Sequence, residues 1–168
     1  NLICARLEAL KAAAHSIPAA ALFDVLEHIQ NQAEILKILS AKLIAGGRLY
    51  VTVPAWPALW SGDDELVGHC RRYTLDSARQ VLTENGFAVE YSTYIFSFLP
   101  VFIWLFRVIP SRLVLFPKRA KLKKTRMNWS HFGLMRRLFR WETASIRRGS
   151  RIPFGSSCLI VAKSAPGI

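Results

Sequence analysis

Apolar positions along this chain switch between two spacings, and the switches mark the elements. Every side chain from Ile17 to Phe23 (IPAAALF) is apolar; this predicts a buried strand, although the alanines also suit a helix. DVLEHI, Asp24–Ile29, leaves that strand. Gln32–Leu43 then sets Ala33, Leu36, Leu39 and Leu43 on one helical face. Gly46-Gly47 reads as the left-handed stop of that helix. Arg48–Val53 (RLYVTV) is β-branched and aromatic between Gly-Gly and Pro54, the strongest strand signal in the chain. Thr74 offers an N-cap hydroxyl, with Asp76 in the first turn, to a helix that turns Val81 and Leu82 inward and ends at Asn85-Gly86. Phe87–Tyr94 reads as the next strand, and residues 2–14 as a short leading helix. Strand, helix, strand, loop, helix, strand is the order of an α/β fold with a parallel, helix-covered sheet.

The remainder has a different texture. Ile95–Phe106 (IFSFLPVFIWLF) carries no charge but is shorter than the ~20 residues of a spanning helix, and Pro100 interrupts it. Leu113–Phe116 and PKRAKLKK follow. Trp129–Arg148 reads as a helix mixing Phe132, Met135, Leu138, Phe139 and Ile146 with Arg136, Arg137, Arg140, Arg147 and Arg148. Ser157–Ala162 (SCLIVA) reads as a last short strand.

Charge divides the chain the same way. The net +12 is concentrated in residues 107–151, where 14 Lys/Arg face only Glu142; residues 1–106 hold 8 Lys/Arg and 10 Asp/Glu. The basic segment should seek an anionic surface. Dense aromatics among its cations fit an in-plane membrane segment, or a helix pair covering the sheet edge or a substrate pocket. Trp129 and Trp141 among the arginines also suit nucleic acid, but the neighbouring apolar run favours lipid over phosphodiester, so nucleic acid is the weaker reading. Hydrophobic residues at 52% exclude a disordered chain. Cys4, Cys70 and Cys158 are odd in number and widely spaced, which argues against a disulfide framework or a zinc site and fits a reducing cytoplasm. The chain opens on Asn1 with neither a charged n-region nor an apolar h-region; no signal peptide and an incomplete N-terminus are the expectations.

Candidate chemistry gathers in Leu59–Thr74, LWSGDDELVGHCRRYT, directly after the strand that ends in Pro54. α/β proteins place binding and catalytic groups on such loops; an ordinary solvated loop is the bland alternative. His69 is the candidate general base, because imidazole titrates near neutrality and Asp64 or Glu65 can orient one nitrogen while the other meets a substrate. Arg71 and Arg72 either hold a carboxylate or phosphate or pair with Asp63, Asp64 and Glu65. Tyr73 is a catalytic candidate that could equally pack under the loop. No Ser elbow, HExxH, P-loop or paired-Cys site occurs, and His15 and His131 stand isolated, so no metal is expected.

Three segments in order carry a resemblance: Asp24-Val-Leu-Glu-His28, Gly46-Gly47 through Val53-Pro-Ala55, and Leu59-Trp-Ser with Asp64-Glu65 and Gly68-His-Cys-Arg-Arg-Tyr73. With them the chain resembles the C-terminal part of a class I S-adenosylmethionine-dependent methyltransferase, in the bacterial branch with DVLEH, VPA and GHxRRY segments. The resemblance covers residues 17–110 well and 140–163 loosely. It implies a Rossmann-like α/β fold and S-adenosylmethionine as cofactor. Asp24 and Leu26 would lie near that cofactor, with Glu27 and His28 facing the cleft; Trp60, Arg71 and Arg72 would bind the acceptor, and His69, Asp64 and Tyr73 would be catalytic. It also implies a glycine-rich turn and an acid upstream of Asp24. Residues 1–16 contain no glycine, so the chain reads as N-terminally incomplete.

On this reading residues 1–94 are a partial core, 95–150 an apolar-basic lid or membrane-surface segment, and 151–168 the last strand and tail. The acceptor would be a small or lipid-like molecule. A non-catalytic fragment that docks on membranes or anionic partners is the alternative. Both rest on one geometric expectation: the DVLEH turn and the GHCRRY loop meet at one rim of the sheet.

Overall fold

The computed structural model of the chain describes residues 13–109 and 133–165. The strands are β1 (Ile17–Phe23), β2 (Leu43–Pro54), β3 (Phe87–Ile95) and β4 (Ser157–Ser164). The helices are α1 (Gln32–Lys42), α2 (Gly62–Val67), α3 (Leu75–Glu84), α4 (Leu99–Ile103), which runs on as a π turn over Trp104–Val108, and α5 (Gly133–Arg147). Short 3-10 turns cover Leu26–His28 and Pro57–Leu59. The helix expected over 2–14 falls almost wholly, and the stretch 113–124 wholly, outside the described residues.

The sheet runs β1-β2-β4-β3. β1 and β2 pair in parallel, and β4 inserts antiparallel to both β2 and β3. The three earlier strands therefore share one direction, as expected. The last strand reverses it, because the chain re-enters the sheet at the end where β3 left it: Ser157, the first residue of β4, lies opposite Ile95 and Pro54, the last of β3 and β2. One face is dry: Leu49, Val51 and Val53 on β2 and Cys158, Ile160 and Ala162 on β4 are buried at every second position. Leu36 and Leu39 of α1 and Ala78 and Leu82 of α3 complete that core. Burial pushes the Cys158 thiol up to about 12, so it is inert.

Two local expectations are corrected. α1 ends at Lys42 with Leu43 already extended, and Gly46-Gly47 lie inside β2, where pairing with β1 slips between Leu43 and Arg48. Gly46 takes φ +73° there, so the pair marks an irregularity in the strand and not a helix stop. Pro100 does not interrupt a helix. It sits in the first turn of α4, where no intrahelical N–H is needed.

Thr74 caps α3 reciprocally: its Oγ1 accepts from the Ser77 N–H (3.1 Å), and Ser77 Oγ accepts from the Thr74 N–H (2.9 Å). α5 is tied to the sheet by Glu142, the lone acid of the basic segment. Its buried carboxylate accepts from the backbone N–H groups of Phe96 (3.0 Å) and Ser97 (2.5 Å) just past β3. Phe139 packs edge-on against Phe96 and Phe98 beside it. Glu142→Ala strands two N–H donors and should cost about 2–3 kcal/mol, read as a lower midpoint in urea, whereas alanine at exposed Arg147 should shift that midpoint hardly at all.

Candidate functional site

The parallel strands end at one rim, and each turns there through a left-handed residue that is not glycine. Asp24 follows β1 (φ 52°), Trp56 lies two residues beyond β2 (φ 59°), and Phe96 follows β3 (φ 58°). Such backbone is costly for bulky residues and persists only where surroundings over-determine it. Thr52 Oγ1 bridges to Asp24 at its backbone N–H and at Oδ1, both 3.1 Å. Trp56 is held by its N–H to the Tyr73 carbonyl (2.7 Å) and by Nε1 to the Gly155 carbonyl (2.9 Å), and its ring stacks on Tyr94 at 4.9 Å.

The loop after β2 is organised by Asp64. Its side chain is 1% exposed. Oδ2 accepts from the Ser61 N–H (2.9 Å), Ser61 Oγ (3.3 Å) and Arg72 Nη2 (3.1 Å). Oδ1 accepts from Arg72 Nε and from His69 Nδ1, both at 2.8 Å. Burial alone would raise this carboxyl's pKa, but Arg72, His69 and the Ser61 N–H together hold it below its ordinary 3.8. Gly68, at φ +78°, ends α2 and swings the chain back so that His69 reaches Asp64. Because a carboxylate only accepts, His69 donates to it from Nδ1, which turns Nε2 away from Asp64.

That Nε2 faces the other segment. It lies 4.0 Å from Glu27 Oε1, and the His69 and His28 rings meet edge-on at 4.7 Å. The Cys70 N–H donates to the Glu27 carbonyl (2.7 Å), and His28 Nδ1 meets the Gly68 carbonyl at 3.3 Å. The DVLEH turn and the GHCRRY loop therefore do meet at one rim. Glu27 is 1% exposed, and neither carboxylate oxygen has a hydrogen-bond partner. Burial first, then the nearby Asp24 charge, raises its pKa against the pull of its own backbone N–H and of the two histidines.

The other expected residues separate by partner. Arg72 takes the ion-pair alternative: it forks onto Asp64 and donates to the Ala55 carbonyl (3.1 Å). Arg71 donates to the Gln30 carbonyl (3.0 Å) and keeps Nε without a partner. Tyr73 is buried, pairs with the end of β2 through Ala55, and its hydroxyl accepts from Gln32 Nε2; burial raises its pKa above the ordinary phenol range. Leu26 turns into the core, while its carbonyl accepts from Gln32 (2.9 Å). Trp60 is half-buried at the end of the Pro57–Leu59 turn. Sequence reasoning missed Gln32, Thr52 and Glu142 as rim supports, because each acts on residues distant in the chain.

With this geometry in hand, the family follows. A model described as a methyltransferase domain matches residues 8–92, and the chain belongs to that family. No curated protein matches the chain. Among solved structures the chain is similar to one in the complex of the Haloferax volcanii Trm112 methyltransferase activator with a methyltransferase (12% identity, 98% of this chain and 60% of that one, TM-score 0.53). It is similar to the geranyl diphosphate C-methyltransferase of Streptomyces coelicolor (14%, 96% and 51%, TM-score 0.53) and to the [4+2]-cyclase SpnF (14%, 98% and 57%, TM-score 0.50). The chain thus spans just over half the length of these neighbours. A cyclase among them is a reminder that the shared fold does not fix the chemistry.

Asp64→Asn removes the charge that Arg72 and His69 share and should cost about 3 kcal/mol in chemical denaturation. The depressed Asp64 pKa stabilises the fold above 3.8, and that contribution is lost as pH falls through the lower folded value. Acid unfolding of the parent protein should therefore steepen below pH 3.8, and the Asn variant should lack that component.

Proposed function

We propose that this chain carries the acceptor side of an S-adenosylmethionine-dependent methyltransferase of the DVLEH, VPA and GHxRRY branch. The observation that carries the reading is the convergence of Asp24–His28 with the Asp64–His69 pair at the C-terminal rim of the parallel strands, where α/β sheets bind ligands. The polar turn of Asp24, Glu27 and His28 fits a cofactor's polar groups; Leu26 supports that turn from the core. Among the described residues no glycine-rich turn follows a parallel strand at this rim, so they supply one wall of a cofactor site. When bound, S-adenosylmethionine supplies an electrophilic methyl group for in-line displacement. His69 Nε2 accepts the proton that an oxygen or nitrogen acceptor releases, and Asp64 holds the ring in the tautomer this needs and stabilises the resulting imidazolium. Arg71, half-buried with its Nη2 on the Gln30 carbonyl, is the guanidinium we assign to an anionic group on the acceptor.

Calorimetric titration of S-adenosylmethionine into the full-length gene product tests the reading: saturable binding at one site per chain is expected, and no binding by the folded protein sinks it. In the active protein His69→Gln should lower kcat on a hydroxyl acceptor about 100-fold or more while leaving cofactor affinity within a few-fold.

The acceptor, on this reading, is amphiphilic and anionic. Trp104, Val101 and Trp141 are each more than half exposed, and a cavity of about 440 Å3 on α5 is lined by Phe139, Arg140, Thr143, Ala144, Arg147 and Arg148. Apolar rings beside guanidinium groups suit a lipid-like molecule or an anionic membrane surface. No helix among the described residues is long and apolar enough to cross a membrane. Flotation should carry the protein with phosphatidylglycerol vesicles but not phosphatidylcholine ones, less so at high salt and with Arg140→Glu/Arg147→Glu; equal flotation with both lipids overturns the electrostatic part.

A further inference from the structure

Glu27 poses a problem that methyl transfer leaves unsolved. A carboxylate with both oxygens buried and unpartnered is among the most costly groups a fold can hold. Two imidazoles stand beside it. One ligand atom each from Glu27, His28 and His69 lies within 4.8 Å of the others, against the ~3–3.5 Å separation of donors around a common ion.

We propose that Glu27, His28 and His69 form a binding site for one divalent transition-metal ion. The surroundings are those of metal ligands. His69 donates Nδ1–H to buried Asp64, which fixes the tautomer, aims Nε2 at Glu27 and raises its basicity. His28 meets the Gly68 carbonyl through Nδ1, which leaves its Nε2 as the lone-pair nitrogen. The hydrogen bond from Cys70 N–H to the Glu27 carbonyl locks the two ligand-bearing segments together. Asp24 begins the turn that carries Glu27 and adds negative charge to the approach. Two imidazoles and one carboxylate select Zn2+ or Fe2+ over Mg2+ or Ca2+, and three protein ligands leave coordination positions open to the cleft.

The use of such an ion rests on the proposed reaction; its binding does not. An acceptor hydroxyl on an open position would become more acidic and would release its proton to solvent water, because His69 Nε2, held as a ligand, could no longer accept it. The bound ion removes the unpaired-carboxylate problem and turns the Asp64–His69 pair into a ligand and its anchor.

The test is direct binding without any methyl donor. Co2+ titrated into the metal-stripped full-length protein should saturate at one ion per chain, with visible d–d bands of imidazole ligation, and Zn2+ should displace it. His28→Ala, at an exposed position, and Glu27→Gln should each weaken binding at least 10-fold. Asp64→Asn should weaken it about 10-fold through the outer shell. His15→Ala should leave it unchanged. Glu27→Gln should also raise the thermal midpoint of the metal-free protein, an effect that mere unfolding of the variant cannot mimic. Absence of saturable binding, or affinity unmoved by both His28→Ala and Glu27→Gln, overturns the site. S-adenosylmethionine binding measured on the same protein fails or succeeds separately, so the two readings are told apart.

Discussion

One dry carboxylate holds the candidate site together. Asp64 is charged and excluded from water, tolerable only because donors surround both oxygens. Each donor fixes something different. The Ser61 N–H starts α2, His69 sets the imidazole that faces Glu27, and Arg72 carries the interaction on to the Ala55 carbonyl at the end of β2. Tyr73, the next residue, pairs with that same strand end. The spacing of Ser61, Asp64, His69 and Arg72 is therefore one structural unit, and the double arginine divides: Arg72 forks onto Asp64, whereas Arg71 reaches the Gln30 carbonyl.

The rim itself is a set of three strained turns with three different clamps. Asp24, Trp56 and Phe96 all adopt left-handed backbone where parallel strands end. Thr52 holds the first, Tyr73 and Gly155 the second, Glu142 the third. None of these clamps is local in sequence, so the strain at each strand end is supported by an element that reaches the rim from elsewhere. Through Glu142 the basic helix α5 is coupled to the end of β3.

The strands and helices were legible because period 2 and period 3.6 patterns are written in neighbouring residues: RLYVTV and the Thr74 cap fall where the spacing puts them. The Asp64–His69 contact was legible for the same reason, since a short helix ended by Gly68 can only fold back a few residues. The direction of β4 was not. SCLIVA is equally apolar in either sense, and its antiparallel placement is set by the end of the sheet at which the chain re-enters, beside Pro54 and Ile95. Gly46-Gly47 misled because a glycine pair serves a strand irregularity as well as a helix end. Glu142 could not be recognised as buried, since a lone acid among arginines reads as a surface ion pair until the N–H groups of Phe96 and Ser97 are in place. Glu27 meeting His69 across 42 residues is likewise a product of topology.

The contrast between two neighbouring carboxylates is the strongest physical argument that this rim is functional. Asp64 and Glu27 are equally buried, both contribute to the same small cluster, and both lie near His69. One is fully matched by donors, and the other is matched by none. Core packing gives no reason to keep a charged group in the second position, where a leucine or glutamine would cost less. A fold that spends so many donors on Asp64 while withholding them from Glu27, a few ångströms away, holds one carboxylate as an anchor and the other in reserve. The imidazole between them is held by the first and turned toward the second, so the two carboxylates stand in opposite relations to the same ring.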